Sequence, residues 1–352
     1  MRRLSVALCG ALLLSGAVGC GPEFDRSNEI KTLRVLGLKK DKPYAQPGEQ
    51  VNLQLLWHDA KSDPRSPRPV QRLFIDGCIN PPADLYYACF EQYAAAIAAG
   101  ELPRIELDQD SIDVTMPRDI ISSRPVEPGQ GRYGVNIVFF AVCAGRLDLA
   151  MDAGSGSSST GLPVRCLDEQ DEPLGSEDFV VGYTTIYSFA DAANANPEFT
   201  VDEAGQGQFL VAGKPVTADC VGATCQGAPP VEVDCDVEPE RCVAPCADDG
   251  DFSCPEIEIA PLISPDVVEI DTVSSKLFGS EVTEQMWINY YVDRGGMSEV
   301  RLLNDSSTGF NAKYRGELRA PKAPGPLQLW AVSHDNRGGM DFARVTLRVR
   351  DK

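Results

Sequence analysis

Histidine is almost absent from this sequence. Only His58 and His334 occur among 352 residues, and neither lies in a recognisable catalytic or metal-binding motif. We expect His58 at the end of a strand and His334 in a turn. A serine triad needs an imidazole base and many zinc sites use imidazole ligands, so both kinds of site are disfavoured.

Long apolar runs and an excess of basic residues are also missing. After Cys20 the most apolar stretch is 135–144, which is about half as long as a helix that spans a bilayer. Lysine and arginine number 32 against 52 aspartates and glutamates, and the formal net charge is -20. Such a chain repels nucleic acid and anionic lipid, so neither is expected as a partner. We interpret the acidic surface as solvated and as serving solubility.

The amino terminus has the three parts of a secretory signal. Two arginines follow the initiator methionine, an apolar run covers residues 4–18, and small residues precede Cys20. The sequence Ala17-Val18-Gly19-Cys20 resembles the lipobox of bacterial lipoproteins, although Ala17 stands where that family usually has leucine. The resemblance implies cleavage before Cys20 and a diacylglyceryl group on its thiol. An ordinary signal peptide that happens to contain a cysteine is the alternative.

The lipid on Cys20 is the only membrane anchor that the sequence predicts. Several acyl chains hold a protein firmly, whereas a single chain binds a membrane marginally. Gly21 follows Cys20, and in Gram-negative lipoproteins the lack of aspartate at that position implies release to the outer membrane. We predict a signal peptide over 1–19 and a lipidated cysteine with a short tether over 20–30. The expected location is the cell envelope, at the outer membrane, on its periplasmic face or at the cell surface.

Ten cysteines remain in the exported chain once one leaves with the signal and Cys20 takes lipid. An even number of cysteines in an exported protein predicts disulfides, and five bridges are possible. We expect Cys78 and Cys89 to close a small loop, and a bridge from Cys143 to Cys166 would pin the loop between them. Zinc is the competing interpretation, which an oxidising compartment disfavours. The candidates are Cys78, Cys89, Cys143, Cys166, Cys220, Cys225, Cys235, Cys242, Cys246 and Cys254.

Residues 31–195 have the strand patterns of one all-β domain. Apolar and polar residues alternate over 51–57, directly after a proline-glycine turn, so one face of that strand is expected to be buried. Residues 137–143 form a continuous apolar run of strand length. Residues 180–189 are rich in valine, tyrosine, threonine and isoleucine, which strands prefer.

An insertion over residues 61–100 interrupts these strands. Its first part, 61–72, holds three prolines and four basic residues, and we expect an extended, exposed and locally positive loop. A ligand motif for a proline-binding domain is the less favoured alternative. The second part predicts one amphipathic helix that ends near Gly100. We favour a core role over a ligand groove for its apolar stripe, which consists of Tyr86, Cys89, Phe90, Tyr93 and Ile97.

Residues 196–256 predict a Cys-rich connector. Six cysteines lie there among proline, aspartate and glycine with hardly any apolar periodicity, so the segment needs disulfides as staples. The acidic stretch from Asp248 to Asp251 lacks the spacing of an EF-hand, and we favour a solvated turn over a calcium site. A serine-rich loop over 154–161 precedes the connector and lacks the spacing of a nucleophile elbow.

Residues 257–352 form the clearest predicted domain. Apolar and polar residues alternate over 286–292, and strands at 327–331 and 345–349 face each other across a glycine turn at 335–339. We expect this terminal hairpin to have one solvent-exposed face because its outward positions are polar. These positions are Arg344, Thr346, Arg348 and Arg350.

The short strands, glycine and proline turns and terminal hairpin resemble an immunoglobulin-like or fibronectin-III-like sandwich over residues 257–350. Residues 139–143 are similar to 329–333, which indicates a repeated domain. The predicted fold class is all-β, with two immunoglobulin-like β-sandwiches joined by a disulfide-rich irregular segment and one short helix inserted in the first domain. Together with the lipobox and the acidic composition, the chain resembles the uncharacterised surface lipoproteins of myxobacteria. That resemblance implies an envelope location and no particular activity.

These features favour a membrane-anchored protein that acts in binding, adhesion or envelope scaffolding, with a protein or a glycan as its partner. The insertion at 61–100 and the loop at 333–341 are the contact candidates, because loops on a rigid β frame often carry function. Simple connection is the alternative for both. A structural subunit of an outer-membrane complex has the same sequence features. A hydrolase with two carboxylates is less favoured, and we predict no enzyme activity, no cofactor and no metal.

Overall fold

The computed structural model shows an all-β protein. Its strands form two β-sandwiches, one short helix is inserted in the first, and several disulfides are present, which confirms the predicted all-β fold class. The disulfide-rich segment lies within the second sandwich, after its strands at 208–217, and does not join the two sandwiches. None of the described helices is long and apolar enough to cross a membrane. The structure describes residues 27–351 apart from 64–65, 102, 126–131, 150–161, 163, 248–253, 299, 306–308 and 312–313.

The first sandwich precedes residue 190. Its described elements are β1 (Leu33–Lys40), β2 (Gln50–Asp59), β3 (Gln71–Ile79), α1 (Ala88–Ala98), β4 (Arg104–Leu107), β5 (Ser111–Thr115), β6 (Tyr133–Cys143), β7 (Arg146–Leu149), β8 (Val164–Leu167) and β9 (Phe179–Phe189). One sheet has the strand order β1-β2-β5 and the other has the order β4-β3-β6-β9, and all neighbours are antiparallel. Strands β7 and β8 form a separate hairpin.

The two faces of β6 explain its continuous apolar sequence. Val138 and Val142 point between the two sheets, where they pack with Leu53 of β2. Phe139 points the other way, into a second cluster that α1 and the β7-β8 hairpin cover. A strand buried on both faces has no polar side to present, so its sequence does not alternate. The alternating residues of β2 match a strand with one face in this core.

The second sandwich contains the remaining elements. The described ones are β10 (Gln208–Val211), β11 (Lys214–Thr217), β12 (Cys220–Val221), β13 (Cys242–Val243), β14 (Ile257–Pro261), α2 (Thr272–Phe278), β15 (Met286–Val292), β16 (Gly296–Met297), β17 (Val300–Leu302), β18 (Asn304–Asp305), β19 (Gly309–Phe310), β20 (Gly316–Arg319), β21 (Gly325–Asp335) and β22 (Met340–Val349). One sheet has the order β11-β10-β14-β20-β16 and the other has the order β12-β22-β21-β15-β17. Strands β10 and β11, which lie within the predicted connector, therefore complete this sandwich.

The core of the second sandwich follows the predicted alternation of β15. Met286, Ile288, Tyr290 and Val292 are fully buried between the two sheets. The hydroxyl of Tyr290 donates to the carbonyl of Tyr314 at 2.7 Å, which satisfies its buried polar group. The sequence analysis did not predict α2, a helix too short to show an apolar stripe.

The two sandwiches stack face to face. The outer face of β1 and β2 contributes Leu36 and Leu56, which pack with Trp330 and Phe342 of β21 and β22. A glycine is required in β1, because a Cβ atom at Gly37 would lie 2.7 Å from a ring carbon of Phe342. The four main sheets therefore form four consecutive layers with three apolar interfaces.

The prediction of a solvent-exposed face on the terminal hairpin is wrong for most of that face. Arg344 and Thr346 are buried and Arg348 is half-buried, because the connector lies across them. Strands β12 and β13 pair with β22, and Arg344 donates to the carbonyls of Ala228 and Pro229 at 2.8 Å each. The polar side chains that suggested contact with water instead bind the backbone of the connector.

A buried ion pair holds the connector in place. Arg241 lies 2.8 Å from the carboxylate of Asp219, and both side chains are almost fully inaccessible to solvent. Arg241 also donates to the carbonyls of Thr217 and Thr346, and the hydroxyl of Thr346 donates to Asp219 at 2.5 Å. These buried polar groups form hydrogen bonds with one another, and the hydrogen bonds offset the cost of removing the groups from water.

The predicted disulfides are present, and all five join cysteines that are near one another in sequence. The separations range from 5 to 23 residues, so each bridge closes a local loop and none links the two sandwiches. The bridges are Cys78–Cys89, Cys143–Cys166, Cys220–Cys225, Cys235–Cys242 and Cys246–Cys254.

The end of the predicted tether is part of the folded structure. Asn28 and Ile30 are buried, and backbone hydrogen bonds join them to Val292 at the end of β15. The side-chain amide of Asn28 also donates to the carbonyl of Met297. The chain thus contacts the second sandwich before β1 enters the first.

A candidate binding surface of aromatic residues

The loop predicted as a contact site in the second sandwich is buried. Residues 333–341 connect β21 to β22 and face the chain that links the two sandwiches. The hydroxyl of Ser333 donates to the carbonyl of Pro197 at 2.6 Å. This loop therefore packs against the chain between the two sandwiches, and we call this contact region the joint. The finding corrects the assignment of the loop as a contact candidate. Its buried members include Ser333, Asp335, Arg337 and Asp341.

Paired charges make up much of this joint. The guanidinium of Arg337 donates to Glu284 at 2.9 Å and to Glu269 at 2.6 Å, and Arg337 and Glu284 are both buried. The ammonium of Lys39 lies 2.7 Å from Asp341. Burial raises the pKa of the Asp341 carboxyl, and Lys39 opposes that effect. Each of these carboxylates thus lies against a basic side chain within the joint, and Arg337 serves two of them.

Both histidines pack as aromatic rings. His58 lies near the end of β2, as predicted, with its ring 4.6 Å from that of Trp330. His334 lies on β21 and not in a turn, because its pairing with Met340 extends the hairpin beyond the predicted strand; its ring stacks on Trp287 at 5.3 Å. Burial lowers the pKa of each imidazole to about 4. Both rings are therefore neutral at neutral pH and sheltered from substrate.

The first part of the insertion is not locally positive. Lys61 lies 2.7 Å from Glu177, and Arg68 lies 2.5 Å from the buried carboxylate of Asp59. These partners neutralise the basic side chains and hold the loop against the first sandwich. The predicted positive patch is therefore absent at these residues of 61–72.

The second part of the insertion presents exposed aromatic rings. The short stretch before α1 places Tyr86 and Tyr87 on the surface with 40% and 54% of their area accessible, and Tyr183 of β9 is 47% accessible. Large aromatic residues clustered at this exposure mark interaction sites in soluble proteins. We define the aromatic surface as Tyr86, Tyr87, Tyr133, Tyr183, Tyr187 and Phe189.

Ring contacts fix one end of the aromatic surface. Tyr86 stacks on Tyr183 with centroids 4.8 Å apart and planes at 20°. Tyr87 meets Tyr86 edge to face at 5.7 Å, and Phe139 lies beneath Tyr183 at 6.0 Å. Contacts between rings in this range are favourable beyond the area they bury. The exposed rings are thus held by a buried aromatic base.

The surface continues along β9. Side chains of a strand alternate between its faces, so Tyr183, Tyr187 and Phe189 project from the same face. Tyr133 of the neighbouring β6 lies 5.6 Å from Phe189 with its plane at 26°. Tyr187 and Phe189 are half-buried. The result is a row of rings along one strand in two clusters, because Thr185 lies between Tyr183 and Tyr187 on that face. The ring of Tyr44 also packs on the second cluster, 4.8 Å from Phe189.

A polar group stands beside the row. Arg124 lies 2.7 Å from the carboxylate of Asp84 and 4.0 Å above the ring of Tyr133. The hydroxyl of Tyr133 donates to Asp84 at 2.6 Å. Burial, together with Asp84, raises the pKa of Tyr133 to about 12, so the phenol keeps its proton. Asp84 and the preceding Ala83 have positive φ angles of 57° and 55°. Such strained backbone is often found at functional sites.

The helical stripe is partly buried and partly exposed. Cys89 and Tyr93 are buried, and the bridge from Cys89 to Cys78 fastens α1 to β3, as the core role predicts. Tyr86 instead lies just outside the helix and is exposed. The stripe therefore anchors the helix through its later residues, while its first residue lies on the surface against Tyr183.

The sequence analysis missed the part of the surface that lies on β9. It interpreted residues 180–189 only as a strand. The signal was the spacing of Tyr183, Tyr187 and Phe189, which places all three rings on one face of that strand. The contact between Tyr86 and Tyr183 depends on where the insertion packs on the outer sheet, and no local sequence pattern indicates this position.

Within the described residues, the side chains do not form a metal site. No group of three or more histidine, cysteine, aspartate or glutamate side chains in that part of the chain could hold a metal ion. An open depression of about 690 Å³ lies at the end of β22, and its charges are of both signs. It is lined by Glu232, Asp234, Asp236, Arg348, Arg350 and Asp351, among others.

Three features from the sequence lie outside the described residues: the lipid attachment site Cys20, the serine-rich loop at 154–161 and the acidic stretch from Asp248 to Asp251.

Comparisons with known proteins leave the function open. No protein-family model and no curated protein sequence matches this chain. Among solved structures, alpha-2-macroglobulin of Salmonella aligns over 93% of this chain and 17% of its own at 10% identity, with a TM-score of 0.21. Alpha-2-macroglobulin of E. coli aligns over 92% of this chain and 16% of its own at 11% identity, with a TM-score of 0.20. At these scores the alignments carry no argument about fold or activity.

Proposed function

We propose that this protein is an envelope-anchored binding protein that contacts its partner through the aromatic surface of its first sandwich. The observation that carries the proposal is the exposed cluster of Tyr86, Tyr87 and Tyr183 on a disulfide-fastened frame. Aromatic side chains cost little conformational entropy when they bind and supply much contact area, so they dominate binding sites. Adhesion is binding of this kind at the surface of a cell.

Rigidity supports a binding role. The Cys78–Cys89 bridge lies at the base of α1, and Phe139 supports the exposed rings from below. A site that is already ordered loses little further freedom when its ligand arrives. The surface is therefore suited to recognition without rearrangement.

The proposed address depends on Cys20. A lipid on this residue would tether a bacterial surface lipoprotein to the outer membrane. Seven residues would separate the anchor from Asn28, and the eight steps from Cys20 to Asn28 allow a reach of about 28 Å when extended. In the bacterium, Cys20→Ala should abolish lipidation and leave the precursor uncleaved by the lipoprotein peptidase. Mass spectrometry of the membrane fraction measures both. Normal membrane retention of the unlipidated variant would refute this address.

Cross-linking in intact cells tests the binding role. We expect the wild-type protein to be joined reproducibly to a partner, and Tyr87→Ala to lose that product. Val237→Ala is the matched control, because Val237 is also exposed but lies in the connector. An unchanged set of cross-linked products in Tyr87→Ala would count against the aromatic surface as the contact site.

Envelope scaffolding is a second candidate, favoured by the stacking of the two sandwiches. Four sheet layers and a joint of buried ion pairs give a rigid block such as a structural subunit requires. If this protein is a structural subunit, it should co-purify with the other members of its complex at fixed stoichiometry, and Tyr87→Ala should co-purify equally well. Loss of co-purification in Tyr87→Ala would instead favour recognition through the aromatic surface.

A further inference from the structure

The row of rings has the length of an extended ligand. Tyr183 and Phe189 are six residues apart on β9, which corresponds to about 20 Å at the rise of a strand. Tyr86 and Tyr87 extend the row beyond Tyr183, and Tyr133 widens it near Phe189. A compact small molecule would use only a fraction of such a row, whereas a linear polymer would contact ring after ring.

Hydroxyl groups line this row. Tyr86, Tyr87, Tyr183 and Tyr187 each carry one, and within the described residues the structure gives none of these four a protein hydrogen-bond partner. A phenol hydroxyl can both donate and accept a hydrogen bond. The surface therefore alternates apolar ring faces with groups that exchange hydrogen bonds with a ligand rich in hydroxyls.

Two of the basic side chains around the row are paired with carboxylates. Arg124 is bound to Asp84, and the nearby Lys276 is bound to Asp191 at 2.5 Å. The protein as a whole carries a formal net charge of -20. An anionic polymer would meet repulsion at long range and would have to displace a carboxylate from each cation at short range.

We propose that the aromatic surface binds a neutral, linear glycan laid along β9. This inference rests on the proposed binding function and names the class of ligand. The flat face of a pyranose ring presents C–H groups with partial positive charge, which the negative π face of a tyrosine attracts. Its equatorial hydroxyls point outward, where they meet the hydroxyls of the tyrosines and the Asp84–Arg124 pair.

A protein partner fits this surface less well. Protein interfaces are centred on anchors that enter well-packed pockets and are surrounded by a rim that excludes water. Here the rings carry polar hydroxyls, and two depressions of the described residues lie elsewhere, at Glu232–Asp236 with β22 and at α2. A glycan needs only the ring faces and the hydrogen bonds.

Titration calorimetry of the purified protein tests the inference. The probes are the hexamers of cellulose, amylose, xylan and chitin, with hexameric galacturonate as the charged comparison. We expect at least one neutral hexamer to bind, to bind more tightly than its dimer, and to bind more tightly than galacturonate. Tyr183→Ala should weaken binding about tenfold or more, because a lost ring contact of this kind corresponds to about one decade in Kd.

Two control variants separate binding from folding. Tyr183→Phe keeps the ring and should stay within a few-fold of wild type, and Val237→Ala should bind as wild type does. Failure of all four neutral hexamers to bind, tighter binding of galacturonate, or equal binding by Tyr183→Ala would overturn the glycan assignment. If no glycan binds but Tyr87→Ala still loses a cross-linked protein partner in cells, the glycan inference fails and the proposed binding function stands. If neither assay responds to these substitutions, both fail.

Discussion

The rings of His58 and Trp330 lie 4.6 Å apart, although one belongs to the first sandwich and the other to the second. This contact is part of an apolar interface that also includes Leu36, Leu56 and Phe342. Interfaces between domains of one chain are often polar and allow relative motion. The apolar packing here, together with the buried ion pairs of the joint, indicates that the two sandwiches unfold as a coupled unit.

Substitution of Gly37 should test this coupling. Gly37→Ala places a methyl group 2.7 Å from the ring of Phe342, so we expect a loss of about 1–3 kcal/mol of stability from overpacking. Phe342→Leu in the same chain removes the clash and should recover part of the loss. Thermal unfolding followed by calorimetry measures both. If Gly37→Ala is as stable as wild type, the two sandwiches are not tightly packed against each other at this point.

The stability of the protein should fall in mild acid because of its two histidines. Burial lowers the pKa of His58 and of His334 from the ordinary 6.5 to about 4, so the unfolded chain binds more protons than the folded chain between these values. Their contribution is complete above pH 6.5 and is lost as the pH falls toward 4. Asp293 acts in the opposite direction, since burial raises its pKa to about 6.

The histidine contribution is isolated by comparison with a variant. His58→Phe with His334→Phe keeps both aromatic contacts and removes the titration, so its free energy of unfolding should decline less between pH 6.5 and 4.5. Urea denaturation at several pH values gives both curves. Parallel curves would show that the imidazoles are not held neutral by the fold.

The ion pair between Arg241 and Asp219 should be essential for the connector. Arg241→Met leaves a buried carboxylate without its main partner, and removal of one member of a buried pair costs about 3–5 kcal/mol. The double variant with Asp219→Leu removes both charges and should be more stable than Arg241→Met alone. Equal stability of Arg241→Met and wild type in urea would contradict this role.

Reduction should loosen the connector before either sandwich. Three of the five bridges lie between Cys220 and Cys254, in a segment with little core of its own. Hydrogen exchange in the presence of dithiothreitol should rise there first, while β6 and β15 stay protected. Simultaneous exposure of all three regions would contradict this order.

Much of the fold could be predicted from the sequence because strand periodicity is local. The alternation in β15 gave its buried face correctly, and the continuous apolar run in β6 marked a strand, whose coverage on both sides the structure then showed. The disulfides followed from an even number of cysteines in a chain that the sequence predicts to be exported. Each of these signals lies within a few residues, where the chain's own chemistry decides the structure.

The error on the terminal hairpin has a specific cause. Outward positions on β22 include Arg344 and Thr346, and these alone suggested contact with water. The outward positions on the neighbouring β21 include Trp330 and Val332, which are apolar, and Phe342 begins the same face on β22. Both faces of β21 are therefore apolar, a pattern that indicates a second covering layer. Which layer covers it depends on contacts across the whole chain and cannot be found locally.

The candidate surface was only partly predictable for the same reason. The helical spacing drew attention to Tyr86, but Tyr183 lies almost a hundred residues away and joins it only after the insertion folds across the outer sheet. Asp84 gives no sequence signal, because its positive φ angle depends on the loop that holds it.

The packing of β1 on β22 has a consequence for the order in which the molecule is completed. Lys39 and its partner Asp341 are separated by 302 residues, so a ribosome finishes nearly the whole chain between the two. Until β22 is made, Leu36 and Leu56 lack their covering layer, so the incomplete chain exposes an apolar patch. Nascent chains in this condition are prone to association. A chaperone that shields the patch would therefore act on the unfinished protein and be released when the last strand arrives.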